Sequence, residues 1–95
     1  MRVNSIADLA TTPIKNGQDL YTSKRTWYAS DVNDNERHIY HYRTLMVVLR
    51  DGAYYQVSLG WGSMTDKHGL GKIRKALGVS VPWGISQDLD SLLAE

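Results

Sequence analysis

The chain has 95 residues, no cysteine and a formal net charge of +1. That length suits one domain and excludes two, and the missing thiols exclude disulfide staples, cysteine zinc sites and a cysteine nucleophile. Hydrophobic residues at 42% against 22% charged allow a modest core, and the longest apolar run, Leu45–Leu49, is far too short to cross a membrane.

In chain order, residues 1–18 read as an N-terminal arm or short helix. They mix polar and apolar positions around Asp8, unlike a signal peptide. Ser5 is placed to cap one helical turn with Ile6 and Leu9 on one side. Thr11-Thr12-Pro13 ends that turn, because the residue before a proline avoids the helical region. Asn16-Gly17 marks a turn. The alternation of Tyr21–Ser30 predicts a strand, and Asp31–Arg37, with Asn33, Asp34 and Asn35, reads as a polar loop.

A β-hairpin over 38–59 is the clearest feature. His38–Arg50 and Ala53–Leu59 have strand composition, and Asp51-Gly52 between them favours a two-residue type I′ turn. That turn sets Arg50 opposite Ala53, Val48 opposite Tyr55, Met46 opposite Val57 and Thr44 opposite Leu59. Tyr42, Thr44, Met46, Val48, Tyr55, Val57 and Leu59 then share the expected core face. The other face carries His41, Arg43, Leu45, Val47 and Leu49 beside Tyr54, Gln56 and Ser58. Its apolar residues imply a cover, either another element or a second subunit, which makes a homodimer the expectation for so small a core.

Gly60-Trp61-Gly62 breaks the strand and swings a large aromatic over the sheet or into an interface. A helix over 65–77 follows, with Thr65 as N-cap, Asp66 at its positive end, Gly78 after its end and Leu70, Ile73 and Leu77 turned inward. Gly69 and Gly71 weaken it, so an irregular first turn is expected. The stretch 61–77 sets Lys67, Lys72, Arg74 and Lys75 against Asp66 alone, a net +3. The stretch 78–95 carries Asp88, Asp90 and Glu95 with no base, a net −3, and 85–95 reads as an acidic C-terminal helix or tail with Leu89, Leu92 and Leu93 on one side.

The histidines are His38, His41 and His68. His38 and His41 are three apart on a strand and point to opposite faces, which is poor metal-ligand geometry; both read as half-exposed strand residues, with a polar site joining His41 to Arg43 and Tyr54 as the sharper alternative. Lys67-His68-Gly69-Leu70-Gly71-Lys72 lacks the spacing of a phosphate loop. Gly packed against the sheet and an anion held at the helix start are both open readings of it. The basic cluster Lys67, Lys72, Arg74 and Lys75 is the best nucleic-acid signal, since such clusters hold phosphates through counterion release. Arg43, Tyr54 and Trp61 are the adjoining candidates. Aromatic and basic groups on a sheet are the equipment of single-strand RNA readers.

From Tyr40 to Leu77 the chain resembles small single-domain proteins of bacteriophages that infect actinobacteria. The likeness rests on the tyrosine-rich strand, the Asp51-Gly52 turn, Gly60-Trp61-Gly62-Ser63-Met64-Thr65 and Ile73-Arg74-Lys75-Ala76-Leu77, with Leu59-Gly60-Trp61-Gly62 standing where a Gly-Gly-Trp turn is expected. The resemblance implies action in a bacterial host's cytoplasm by binding rather than chemistry.

The expectation is therefore one α+β domain over 1–95. A small antiparallel sheet of three or four strands, centred on the 38–59 hairpin, packs with the basic helix 65–77 and a short C-terminal helix. It is expected to bind nucleic acid, DNA or RNA, through Lys67, Lys72, Arg74, Lys75, Arg43, Tyr54 and Trp61. A protein-interaction module acting on a host protein is the alternative. No catalytic residue, metal or cofactor is assigned, and no membrane partner.

Overall fold

The computed structural model describes residues 1–79. Two helices and five strands follow one another as α1 (Ile6–Thr11), β1 (Asp19–Tyr21), β2 (Trp27–Asn33), β3 (Glu36–His41), β4 (Thr44–Arg50), β5 (Ala53–Gln56) and α2 (Met64–Leu77). The strands form one antiparallel sheet in sequence order, each joined to the next by a short turn. The fold is α+β. No helix among the described residues is long and apolar enough to cross a membrane. The short helix and acidic tail expected at 85–95 lie outside the described residues.

Five strands stand where three or four were expected, because two expected strands each fold back on themselves. The stretch 21–30 divides into β1 and β2 around a turn in which Arg25 takes a φ of 58°. The stretch 38–50 divides into β3 and β4 at Tyr42, whose φ is 55°. Both are ordinary side chains in the left-handed region, which only glycine enters freely, so no composition signal marked either turn. The polar loop expected at 31–37 is mostly strand: β2 runs to Asn33, β3 starts at Glu36, and a tight turn joins them.

The Asp51-Gly52 turn behaves as its residues dictate. Both φ values are positive, 50° and 80°, and the register sets Arg50 opposite Ala53 and Val48 opposite Tyr55. The faces, however, are largely exchanged, although Met46 and Leu59 join the main core as expected. Val47, Leu49 and Tyr54 turn toward the helices and join one core with Leu20, Trp27, Ala29, Ile39, Leu9, Leu70 and Ile73. Val48 and Tyr55 pack on the opposite side with Val57 and Leu45. A bulge contributes to the exchange. Ile39 pairs with Val47 while Tyr40 pairs with Leu45, so Met46 is the extra residue of β4 and is fully buried. The cover inferred for the Val47 and Leu49 face is the chain's own helices.

Helix α1 is capped by Ser5, whose Oγ accepts from the Asp8 N–H, and it stops ahead of Pro13. Helix α2 starts a residue earlier than expected and is capped by Ser63 rather than Thr65. Ser63 and Asp66 form a reciprocal capping box, and Gly78 ends the helix in the left-handed conformation. The first turn is regular despite Gly69 and Gly71. Gly69 has a packing reason: a Cβ there would lie 2.0 Å from Cζ2 of Trp27. The helix sits directly on that indole. Burying Leu70 and Ile73 completely contributes roughly 1.5–3 kcal/mol each to holding it there.

Candidate functional site

Two buried carboxylate pairs lie on the helix-covered face, in the ladder of paired residues Trp27–His41, Ala29–Ile39 and Asp31–Arg37 or reaching it from α2. In the first, Arg37 Nε donates to Asp31 Oδ1 at 2.6 Å and Nη2 to Oδ2 at 3.0 Å. Its remaining N–H groups reach the carbonyls of Leu9, Thr12 and Pro13 at the end of α1. Asp31 also accepts from the Lys15 N–H and from Gln18. Burial works to raise the Asp31 pKa, but the Arg37, Lys15 and Gln18 hydrogen bonds prevail and hold it below the ordinary aspartate value. Every donor of the guanidinium is used. This pair is architecture.

The second pair differs. His41, only 4% exposed, donates from Nδ1 to Asp66 Oδ1 at 2.5 Å, and its ring stacks on Trp27 with centroids 4.3 Å apart. Tyr42 leans on the ring at 4.6 Å. The other Asp66 oxygen accepts from Ser63 Oγ and from the N–H groups of Trp61 and Ser63. Burial works to raise the Asp66 pKa, and the hydrogen bonds from His41, Ser63 and Trp61 outweigh it, holding it below the ordinary value. Only glycine fits at position 60, because a Cβ would lie 2.7 Å from the Asp66 carboxylate and φ is +64°. The second ring nitrogen of His41, Nε2, has no hydrogen-bond partner among the described residues, and no buried side-chain nitrogen or oxygen is left unsatisfied. Nε2 is therefore open to solvent.

His41 lines a groove of about 330 Å³ together with Lys24, Thr26, Tyr42, Thr65, His68 and Lys72. A neighbouring hollow of about 370 Å³ shares Ile6, Lys24, Thr26, Trp27 and Lys72 with it, so the two form one trough along α2. His68, Lys72 and Lys75 lie at i, i+4 and i+7 and make one exposed stripe of that helix. Lys24 stands on the opposite bank. None of the four forms an ion pair among the described residues.

The expected site residues fall into two groups. Lys67, Lys72, Lys75 and Arg43 are exposed, and Trp61 is 90% exposed rather than packed over the sheet. Arg74 and Tyr54 are drawn inward. Both bond Gln56 Oε1, from Arg74 Nη1 at 2.7 Å and the Tyr54 hydroxyl at 2.8 Å, on the helix-covered side of the sheet. Burial pushes the Tyr54 phenol up, with Arg74 pulling against it. His41 is buried rather than half-exposed and pairs with Asp66, not with Arg43 and Tyr54. His38 does face the opposite side, where its Nε2 lies 2.6 Å from Glu36 Oε2. The packing reading holds for Gly69, which sits against the Trp27 indole.

Sequence reasoning missed Lys24, His41, Asp66 and His68 as parts of one site. The Ser63-x-x-Asp66 box was a readable signal for the true helix start; the contact between residues 41 and 66 had none. No protein-family model, curated protein or solved structure matches the chain.

Proposed function

We propose that the chain is a non-catalytic nucleic-acid-binding domain that takes a single strand, RNA included, along the trough beside α2. The observation that carries this reading is His68 and Lys72 facing Lys24 across the trough, with Lys75 a turn further along the same exposed stripe and no carboxylate paired to any of them among the described residues. Phosphates bind such positions by releasing their counterions. Lys67 and Arg43 extend the positive surface, and exposed Trp61 and Tyr42 offer rings on which bases stack. The resemblance to phage proteins makes the cytoplasm of a bacterial host the setting.

Fluorescence anisotropy with a short labelled oligouridylate, titrated over salt, tests it. The slope of log K against log salt should be about −0.7 for each phosphate neutralised, and the Lys72→Ala/Lys75→Ala double variant should flatten it by about 1.4. No detectable binding at low salt, or an unchanged slope in the double variant, defeats the reading.

One observation favours a second reading, a module that binds a host protein. Trp61, Met64 and Tyr42 are 90%, 63% and 61% exposed, and exposed aromatics are the usual anchors of protein interfaces. Capture of a partner from nuclease-treated lysate, lost on Trp61→Ala, would support it over the first.

A further inference from the structure

From the open nitrogen of His41 we infer that the trough has a built phosphate site, in which His41 Nε2 donates a hydrogen bond to one phosphate of the bound strand between Lys24 and Lys72. The inference rests on the nucleic-acid reading and assigns its central contact. An imidazole that served only to fasten α2 to the sheet would need just its Nδ1 bond to Asp66. Here the ring is stacked on Trp27 with Tyr42 tilted against it, fixed by a carboxylate that itself accepts from Ser63 and Trp61, and left with an unpaired second nitrogen on a residue that lines the trough. Such a nitrogen is pre-organised: its orientation is settled before a ligand arrives, so little entropy is lost on binding.

The charges fit a phosphate. Lysines stand on both banks, Lys24 on the turn between β1 and β2 and Lys72 on α2, with His68 on the rim and the hydroxyls of Thr26 and Thr65 beside them. Among the described residues no carboxylate lines either hollow, and Asp66 is turned to His41 and to the loop before α2. At about 330 Å³ the groove lies at the small end of ligand pockets, which run from about 300 to 1,000 Å³, and is sized for one nucleotide with the strand continuing into the neighbouring hollow. Exposed Tyr42 then lies beside the phosphate, where the adjoining base stacks.

A proton follows from the chemistry. Nδ1 already carries a hydrogen toward Asp66, so Nε2 can donate only when the ring carries both protons, as an imidazolium between the Asp66 carboxylate and the phosphate. Binding takes up a proton. The groups facing His41 are Asp66, His68 and Lys72 from α2, Lys24 from the β1–β2 turn and Tyr42 from its own turn; His68 is the other imidazole among them.

The test is oligouridylate affinity across pH for wild type, His68→Ala and the double variant His68→Ala/His41→Asn, with folding checked by circular dichroism. Asparagine carries its amide where His41 has Nδ1, so it keeps a donor for Asp66 and places nothing at Nε2. Wild-type affinity should fall as pH is raised, and His68→Ala, which removes the other imidazole of the trough, should keep a fall. Adding His41→Asn should abolish the remaining fall and weaken binding about tenfold to a hundredfold at the acidic end, the scale of a hydrogen bond to a charged group. If the double variant does not fold, calorimetry on His68→Ala in two buffers of different ionisation enthalpy should still register proton uptake. His68→Ala binding that ignores pH, equal affinity for His68→Ala and the double variant, or no proton uptake overturns the inference and leaves the nucleic-acid reading standing. Absence of binding by wild type at any pH defeats both.

Discussion

Asp31–Arg37 and Asp66–His41 are two buried carboxylate pairs on one face of one sheet, a few residues apart on the same two strands or the helix above them, and they do opposite things. Arg37 spends all its donors inside the protein, on Asp31 and on three carbonyls that close α1 and the segment after it. His41 spends one nitrogen on Asp66 and keeps the other in a basic trough. A fully satisfied buried pair specifies a fold, whereas a half-satisfied one that reaches solvent presents a group with fixed geometry to a ligand. Counting donors used and donors left over separates architecture from site.

The largest expected effect is on the closed pair. Arg37→Met leaves Asp31 buried without its cation and unties the end of α1, and should destabilise by about 3–5 kcal/mol. For a chain of this size, with a total of roughly 5–14 kcal/mol, that is a large share. Urea denaturation checks it, and a loss below about 1 kcal/mol would erase the distinction between the pairs.

Gly69→Ala comes next, because its methyl would enter the Trp27 ring on which His41 is stacked. Overpacking of this kind costs about 1–3 kcal/mol. Gly71→Ala, two residues on with open space around its Cβ position, should instead stabilise by about 0.5–1 kcal/mol. Opposite signs of ΔTm for two glycines on one helix would locate the tight contact at the indole.

Acid should weaken both pairs. Asp31 and Asp66, whose ordinary value is 3.8, and Glu36, whose ordinary value is 4.5, all have their folded pKa lowered; for Glu36 the Arg50 hydrogen bond leads. A depressed folded pKa contributes stability that is present above the unfolded pKa and lost as pH falls through the folded one. Stability should therefore be insensitive to these groups above about pH 5 and fall below about pH 4, a profile that denaturation midpoints across pH would trace. The smallest effect is expected at Trp61→Ala: its side chain is 90% exposed, so stability should stay within about 0.5 kcal/mol while binding weakens.

Much of the frame was legible from local rules. Ser5, Asp51-Gly52, the inward Leu70 and Ile73, and Gly78 all do what their chemistry dictates. Two kinds of feature were not. The turns at Arg25 and Tyr42 put ordinary side chains at positive φ, without the glycine, proline or asparagine that advertises a turn. Val48, Tyr55 and Val57 are expected on the core face and lie on the other one, because the core side also buries Asp31, Arg37, His41 and Gln56, polar residues that look solvent-facing until their partners are known. Those partners come from α1, from α2 and from neighbouring strands. The basic character of the site was visible in Lys67, Lys72 and Lys75, but Lys24 and His41 reach it only through tertiary contacts.

Histidine side-chain nitrogen NMR on the wild-type protein, before and after oligouridylate, puts the difference between the two pairs to its most direct test. The free protein should show His41 with Nδ1 protonated toward Asp66, and the strand should shift its Nε2 to that of a protonated, hydrogen-bonded nitrogen while His38, held by Glu36 on the opposite face, stays unchanged. A bound strand that leaves His41 Nε2 where it was would show that both pairs are architecture.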